Sequence, residues 1–275
     1  MDGFSFLLDI FRAILQCMQF IHAIILGVVE GITEFLPVSS TAHLILAGAL
    51  LKIPGTEFFK TFIIAIQLGA ILAVLIAYGH RFFENRTLIP KVLVAFLPTA
   101  IIGFALYHFL KNVLLTSPLI SIVTLFIGGI VLMLFDHVKE ETKEERDVHT
   151  ISYAQAFTIG AAQALAIVPG VSRSAATIVT GLLMGIGRSA IVEFSFLLAV
   201  PTIGAASLYD LFKTAPSFSN GEFALLAFGF VTSCISALFT VRIFSTYVKT
   251  HSFRAFGGYR IVIALISLTM LTYLL

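Results

Sequence analysis

The chain has 275 residues, 59% of them hydrophobic and 12% charged, with a mean hydropathy of +1.03. Soluble domains carry about 25% charged residues, so a water-soluble globular enzyme is excluded. A net charge of +2 with no basic cluster also leaves no footprint for nucleic acid.

Apolar stretches of about 17 to 25 residues recur, the length that crosses about 30 Å of hydrocarbon. The expected fold class is an all-α polytopic membrane protein. Residues 1–19 carry Asp2, Asp9 and Arg12 among apolar positions. They lack the basic start and small-residue cleavage site of a signal peptide, and are expected to form an amphipathic helix at the membrane interface. An apolar helix is expected over 20–35, ending near Glu30, Glu34 and Pro37. Proline stops it, having no N–H and a ring that clashes with the preceding turn. Ser39, Ser40 and Thr41 then offer caps for a new helix carrying His43 in its first turn. Residues 44–51 are too short to span, and Lys52, Pro54 and Gly55 close them. Residues 20–51 therefore read as a re-entrant hairpin.

Spans are expected at about 61–78, 92–109 and 118–135, followed by a charged cytoplasmic linker at 136–152. A helix over 153–168 breaks at Pro169-Gly170 and resumes through Ser172-Arg173-Ser174 to residue 187. Further spans are expected at about 190–209, 223–247 and 259–273. All seven tyrosines fall near expected segment ends, where an amphipathic ring suits the headgroup region. Cys17 and Cys234 have no metal or redox spacing and read as separate buried thiols.

A shift of 133 positions lays Gly27 to Glu30 on Gly160 to Gln163, and Val38 to Thr41 on Val171 to Ser174. Each half, 20–135 and 153–275, then reads as a broken-helix hairpin plus three transmembrane helices. Three crossings per half invert the second copy relative to the first. With the 79–91 loop cytoplasmic, that side receives ten basic residues: Arg81, Arg86, Lys91, Lys139, Lys143, Arg146, Arg188, Lys249, Arg254 and Arg260. The other side receives four, Lys52, Lys60, Lys111 and Lys213, which follows the positive-inside rule. Inverted repeats with broken helices build polar sites near the bilayer midplane.

Ionisable groups at membrane depth cost about 2.5–3.5 kcal/mol on insertion scales, so they point to function. Glu30 and Glu34 lie four apart on one helix face. Two carboxylates kept ionised together call for a cation, and oxygen ligands suit Mg²⁺ or Ca²⁺. The competing reading has one glutamate protonated or facing water. Arg173, between Ser172 and Ser174 at a helix start, suits an anion rich in oxygens such as phosphate. The competing reading is a structural ion pair between Arg173 and a glutamate of the first half. His43 is placed to take a proton from Ser40 or from water, and Gln67 is a weaker candidate to line the same cavity. Together these groups indicate phosphoryl chemistry on a lipid. A lipid-phosphate transporter is the alternative, because it shares the architecture but needs no nucleophile or base.

The stretches Glu30-Gly-Ile-Thr-Glu-Phe-Leu-Pro-Val-Ser-Ser-Thr-Ala-His43 and Pro169-Gly-Val-Ser-Arg-Ser-Ala-Ala-Thr177 resemble the two signature motifs of the bacterial undecaprenyl-diphosphate phosphatase family, which is linked to bacitracin resistance. The segments Gln67 to Val74 and Glu193 to Pro201 also resemble it, so the likeness covers about residues 20 to 275. Ala42 and Ala175 stand where many members have glycine, and the first 20 or so residues lie outside the pattern. The resemblance implies hydrolysis of undecaprenyl diphosphate to the monophosphate and phosphate, recycling the carrier lipid for peptidoglycan synthesis. It implies a divalent cation and a multi-pass protein of the bacterial cytoplasmic (inner) membrane whose site opens to the outer face. Glu30 and Glu34 would bind metal or act in acid–base work, with Ser40 as the candidate nucleophile and His43 as its base or the leaving-group acid. Ser39, Thr41, Gln67, Ser172, Arg173 and Ser174 would bind the diphosphate. Partners expected are this lipid, bulk membrane lipids and, as a candidate assembly, a second copy of the chain.

Overall fold

The computed structural model describes residues 3–84, 87–135 and 148–274. Most of the charged linker therefore lies outside the described residues, which contain helices and no strand. Five helical stretches are long and apolar enough to cross a membrane: Glu57–His80, Leu88–Ala105, Arg188–Ser217, Asn220–Tyr247 and Arg254–Thr272. A bent pair, Tyr107–Leu114 and Pro118–Leu134, meets at 101° and makes a sixth where it counts as one broken span. The chain is thus an all-α polytopic membrane protein. Its outer surface is correspondingly apolar, with Phe104 71% and Ile243 69% exposed, as a lipid-facing surface demands.

Helix α1 runs from Gly3 to Thr33 without interruption, crossing the boundary expected at residue 19. It stops at Thr33 because Pro37 has no N–H to reach that carbonyl. Val38 instead turns back onto Leu36 O at 2.8 Å, and α2 (Ser40–Leu50) follows. Helices α3 (Glu57–Ala65) and α4 (Gln67–Glu84) form one crossing with a joint at Ile66. Helix α5 (Leu88–Ala105) leads through a short α6 (Tyr107–Phe109) and a π-helical turn, Leu110–Leu114, into α7 (Pro118–Phe135). In the second half, α8 (Tyr153–Gln163) tightens into a 3-10 turn, Ala164–Ile167, before Pro169. Helices α9 (Arg173–Leu183), α10 (Arg188–Thr214), α11 (Asn220–Tyr247) and α12 (Arg254–Leu274) complete the chain.

The packing is reciprocal between the halves: α1 lies on α11 and α8 on α5, while α4 meets α10 and α7 meets α12. Small residues permit the close approaches. A Cβ at Gly27 or Gly31 would strike α11, and one at Gly160 would strike the Ala95 carbonyl of α5. This is how helices associate where lipid removes the hydrophobic drive.

Two basic residues counted as loop charge are internal. Arg260 is fully buried among α7 and the two breaks, and Lys111 is 5% exposed and paired with Asp210 at 2.7 Å. Each side of the charge count loses one, leaving nine against three. Two tyrosines likewise do more than mark segment ends. Tyr259 bonds His43 at 2.9 Å, and Tyr107 donates to Asp210 at 2.5 Å.

Candidate active site

The two chain breaks meet inside the bundle, and each contains a serine forced out of normal backbone space. Ser39 has φ 69° and ψ 91°, and Ser172 has φ 76° and ψ 117°. They are the two positions that the 133-residue shift superimposes. A non-glycine residue at positive φ costs about 1–3 kcal/mol and persists only where its surroundings hold it. Ser39 Oγ accepts from Gly170 N at 3.0 Å, so its hydroxyl ties one break to the other instead of capping its own helix. Ser172 Oγ does cap α9, accepting from Ala175 N at 3.2 Å. The first break is further tied by Ser174, which donates to Leu36 O at 2.8 Å.

Glu34 sits at this junction, 7% exposed. The Ser40 hydroxyl donates to its Oε2. Its Oε1 faces Arg173, with Nη2 at 3.1 Å and Nε at 3.3 Å. The guanidinium is fixed from behind, since Nη1 donates to Ser195 O at 2.7 Å and to Ser195 Oγ at 3.2 Å. Thr177 spends its proton on backbone carbonyls at 3.1 Å, so the 2.7 Å bond between Thr177 and Ser195 is donated by Ser195. One turn before Glu34, Glu30 is completely buried and neither carboxylate oxygen has a hydrogen-bond partner among the described residues.

A cavity of about 500 Å³ opens beside this cluster. Glu34, Ser39, Ser40, Thr41, Gln67, Ser172 and Arg173 line its polar end, and Phe96, Ala100, Ile203 and Ala206 its apolar wall. Its far end reaches Tyr107, Tyr209 and Asp210. Seven of the ten residues expected to form the site thus share one cavity. Glu30 is packed behind Glu34, and Ser174 is spent on Leu36 O.

His43 departs most from expectation. Its Nδ1 lies 2.7 Å from Ser39 O and its Nε2 2.9 Å from Tyr259 OH, and it does not line the cavity. Both ring nitrogens are committed away from Ser40, whose proton goes to Glu34. The Ser40–His43 pair is therefore absent from the described geometry: His43 follows Ser40 by three residues on α2, but its ring turns toward α12.

Several groups at the site were not singled out from the sequence. Ser195 and Thr177 brace Arg173. Gln163, the counterpart of Glu30 under the 133-residue shift, also lines the cavity and bonds Thr99 Oγ1 at 2.9 Å and Thr202 Oγ1 at 3.1 Å. Those hydroxyls donate to Gly160 O and Leu198 O, so both act as acceptors and fix the amide nitrogen toward them. The 133-residue shift carried that signal. Nothing in the local sequence marked Thr99 or Thr202.

Fold and site together define a polytopic helical membrane protein with an enclosed polar centre built on two broken helices. Residues 23–266 match the family model described as bacitracin resistance protein BacA, and the chain belongs to that family. It is 47% identical over 245 residues to the undecaprenyl-diphosphatase of Aquifex aeolicus, covering 89% of this chain and 96% of that one. The undecaprenyl-diphosphatase of Thermus thermophilus is 48% identical over 246 residues, covering 88% and 94%. That of Wolinella succinogenes is 45% identical over 252 residues, covering 91% and 98%.

Proposed function

We propose that this chain hydrolyses undecaprenyl diphosphate to undecaprenyl phosphate and inorganic phosphate, recycling the carrier lipid for cell-wall synthesis and thereby conferring bacitracin resistance. Its curated relatives, matched over nearly their whole length, carry that activity in their names. The observation that carries the mechanism is the chain of contacts Ser40–Glu34–Arg173 across the two breaks.

In the resting arrangement Arg173 neutralises Glu34. An arriving phosphate competes for the guanidinium, because Arg binds phosphate oxygens by a planar fork. Glu34 is thereby released toward the Ser40 hydroxyl it already holds. Ser40 Oγ attacks the terminal phosphorus, its proton passes to Glu34, and the bond to the bridging oxygen breaks. Undecaprenyl phosphate departs with that proton. Water then attacks the phosphoseryl group and gives its proton to Glu34. The bond from phosphorus to Ser40 breaks, and Ser40 recovers the proton. Arg173 stabilises the charge on the transferring group in both steps, a contribution about 10³–10⁵ in size where such arginines have been removed. Ser39, Thr41, Ser172 and Gln67 line the head-group end, while the apolar wall accepts the prenyl tail.

A divalent cation belongs to this reading. Glu30 is a buried carboxylate with no donor, and with Glu34 it offers oxygen ligands of the kind Mg²⁺ or Ca²⁺ prefers. These two glutamates would hold the ion, which would supply charge neutralisation to the bound diphosphate. The reciprocal packing and the matched strained serines also support inverted repeats. The remaining loop charge supports a cytoplasmic-membrane protein with its site open to the outer face.

The test is phosphate release by purified protein in detergent, with undecaprenyl diphosphate and added Mg²⁺ or Ca²⁺, against a chelator control. Release that the chelator abolishes is expected. A folded protein that binds the lipid but releases no phosphate under either cation would favour a transporter.

A further inference from the structure

A guanidinium carries five N–H donors, and Arg260 presents all five to separate backbone carbonyls. Nε donates to Leu125 O at 3.3 Å. Nη1 donates to Pro37 O at 3.1 Å and Val171 O at 3.2 Å. Nη2 donates to Thr124 O at 3.3 Å and Gly170 O at 2.6 Å. Three of these carbonyls belong to the breaks, one to the first and two to the second, and the other two belong to α7. The side chain is 0% exposed, lies outside the cavity, and forms no ion pair with a carboxylate among the described residues. A charge buried this way is costly unless its donors are satisfied, so a purpose beyond filling space is indicated.

The surroundings are shaped for it. A Cβ at Gly128 of α7 would fall on the guanidinium, so only glycine leaves its seat open. Next to it, Gly129 and Gly257 bring α7 and α12 into contact, and a Cβ at Gly257 would meet Met133 and the Gly129 backbone. One arginine on the last helix therefore holds both breaks from behind, while Glu34 and Ser40 on the first and Arg173 on the second face the cavity.

We propose that Arg260 is a positioning residue for phosphoryl transfer: it sets the register of the two breaks so that Ser40, Glu34 and Arg173 address one phosphate. This rests on the site assignment made above. Proximity makes such register valuable, since a displacement of about 1 Å can cost about 10²-fold in rate. Lysine cannot reproduce it, being a point charge with three donors rather than a fork that bridges separated carbonyls.

The experiment compares Arg260→Lys, Gly128→Ala and Gly257→Ala as purified full-length proteins, measuring kcat, KM and Tm. Arg260→Lys is expected to lower kcat about 100-fold with KM changed less than about threefold, since the cavity lining is untouched. Gly128→Ala pushes on the guanidinium without removing it, and is expected to lower kcat in the same sense. Gly257→Ala acts on the α7–α12 contact one turn from Arg260 without touching the guanidinium, and is expected to lower Tm while kcat stays within about threefold. Folded Arg260→Lys with kcat within threefold of the parent overturns the proposal. So does a kcat loss that follows Tm across all three variants, which would make Arg260 a packing residue. If Arg260→Lys does not fold, Gly128→Ala decides on the same criteria. Ser40→Ala and Arg173→Ala run beside them: if those retain the rate, the site assignment fails independently of Arg260.

Discussion

Arg173 Nη2 lies 3.1 Å from Glu34 Oε1, although the two residues are 139 positions apart and belong to different broken helices. Both side chains are largely buried, at 9% and 6% exposure. The structure holds Arg173 as an ion pair with Glu34; under the proposed mechanism the phosphate clamp would be the same residue at a later stage of the cycle. Removing one member of a buried pair leaves the other uncompensated, at a cost of about 3–5 kcal/mol. Arg173→Ala should accordingly lower Tm and reduce kcat/KM by about 10³ or more. The double variant Glu34→Gln with Arg173→Met should recover much of the Tm and none of the turnover. Thermal denaturation and phosphate release on the same preparations check both parts, and activity in the double variant would contradict the assignment.

Ser40 and His43 separate two choices of base. With Glu34 accepting the Ser40 proton, Ser40→Ala should reduce kcat by about 10³-fold or more, as loss of a nucleophile does. His43 instead props the strained Ser39 carbonyl and reaches Tyr259. His43→Gln keeps an amide at the Nε2 end that faces Tyr259 and should keep kcat within about tenfold, whereas a general base contributes about 10²–10⁴. A His43→Gln variant as dead as Ser40→Ala would return the proton transfer to the histidine.

Much of this was legible in the sequence, and the misses have physical causes. Composition and span length fixed a helical membrane protein, since hydrocarbon leaves backbone groups no partner outside the chain. The breaks were visible because Pro37 and Pro169-Gly170 interrupt helices locally. The 133-residue shift drew attention to Arg173 at the second break, and the competing reading, an ion pair with a glutamate of the first half, is the contact it makes with Glu34. What failed was anything decided by side-chain direction or by distant partners. His43 shares a helical turn with Ser40, but its ring points to α12. Arg260 has the composition of a loop charge near a span end, and only the convergence of five carbonyls from three segments makes an interior seat for it. Lys111 was misplaced likewise, because its partner Asp210 is 99 positions away.

Glu30 offers the cleanest test for a cation. Its buried carboxylate has no hydrogen-bond donor, which is unfavourable unless a proton or a metal ion compensates. If it is a ligand, Mg²⁺ or Ca²⁺ should raise the Tm of the parent protein, by mass action on the folded state. Glu30→Gln should abolish that rise while leaving the Tm without cation equal or higher, since a buried charge has been removed. Differential scanning measurements with and without chelator read this directly, with no substrate present. A cation-dependent rise that persists in Glu30→Gln places the ion elsewhere.

Lys111 and Asp210 form a second buried pair among the described residues, at 2.7 Å, with Tyr107 donating to the same carboxylate oxygen, Thr61 accepting from the lysine at 3.1 Å and Glu57 Oε2 3.6 Å from it. They join α3, the π-helical turn and α10 at the far end of the cavity, remote in sequence from both breaks. A role in holding these elements predicts a particular pattern of stabilities. Lys111→Met should destabilise by about 3–5 kcal/mol, because Asp210 is left buried without its partner, and Asp210→Asn by less, because Lys111 keeps Glu57 Oε2 at 3.6 Å. Lys111→Met combined with Asp210→Leu should come within about 1–2 kcal/mol of the parent, since an apolar replacement of a whole buried pair is often neutral. Phosphate release should follow the folded fraction in all three. If the double variant is stable but inactive, the pair acts on the lipid or its product, and the far end of the cavity belongs to the reaction path.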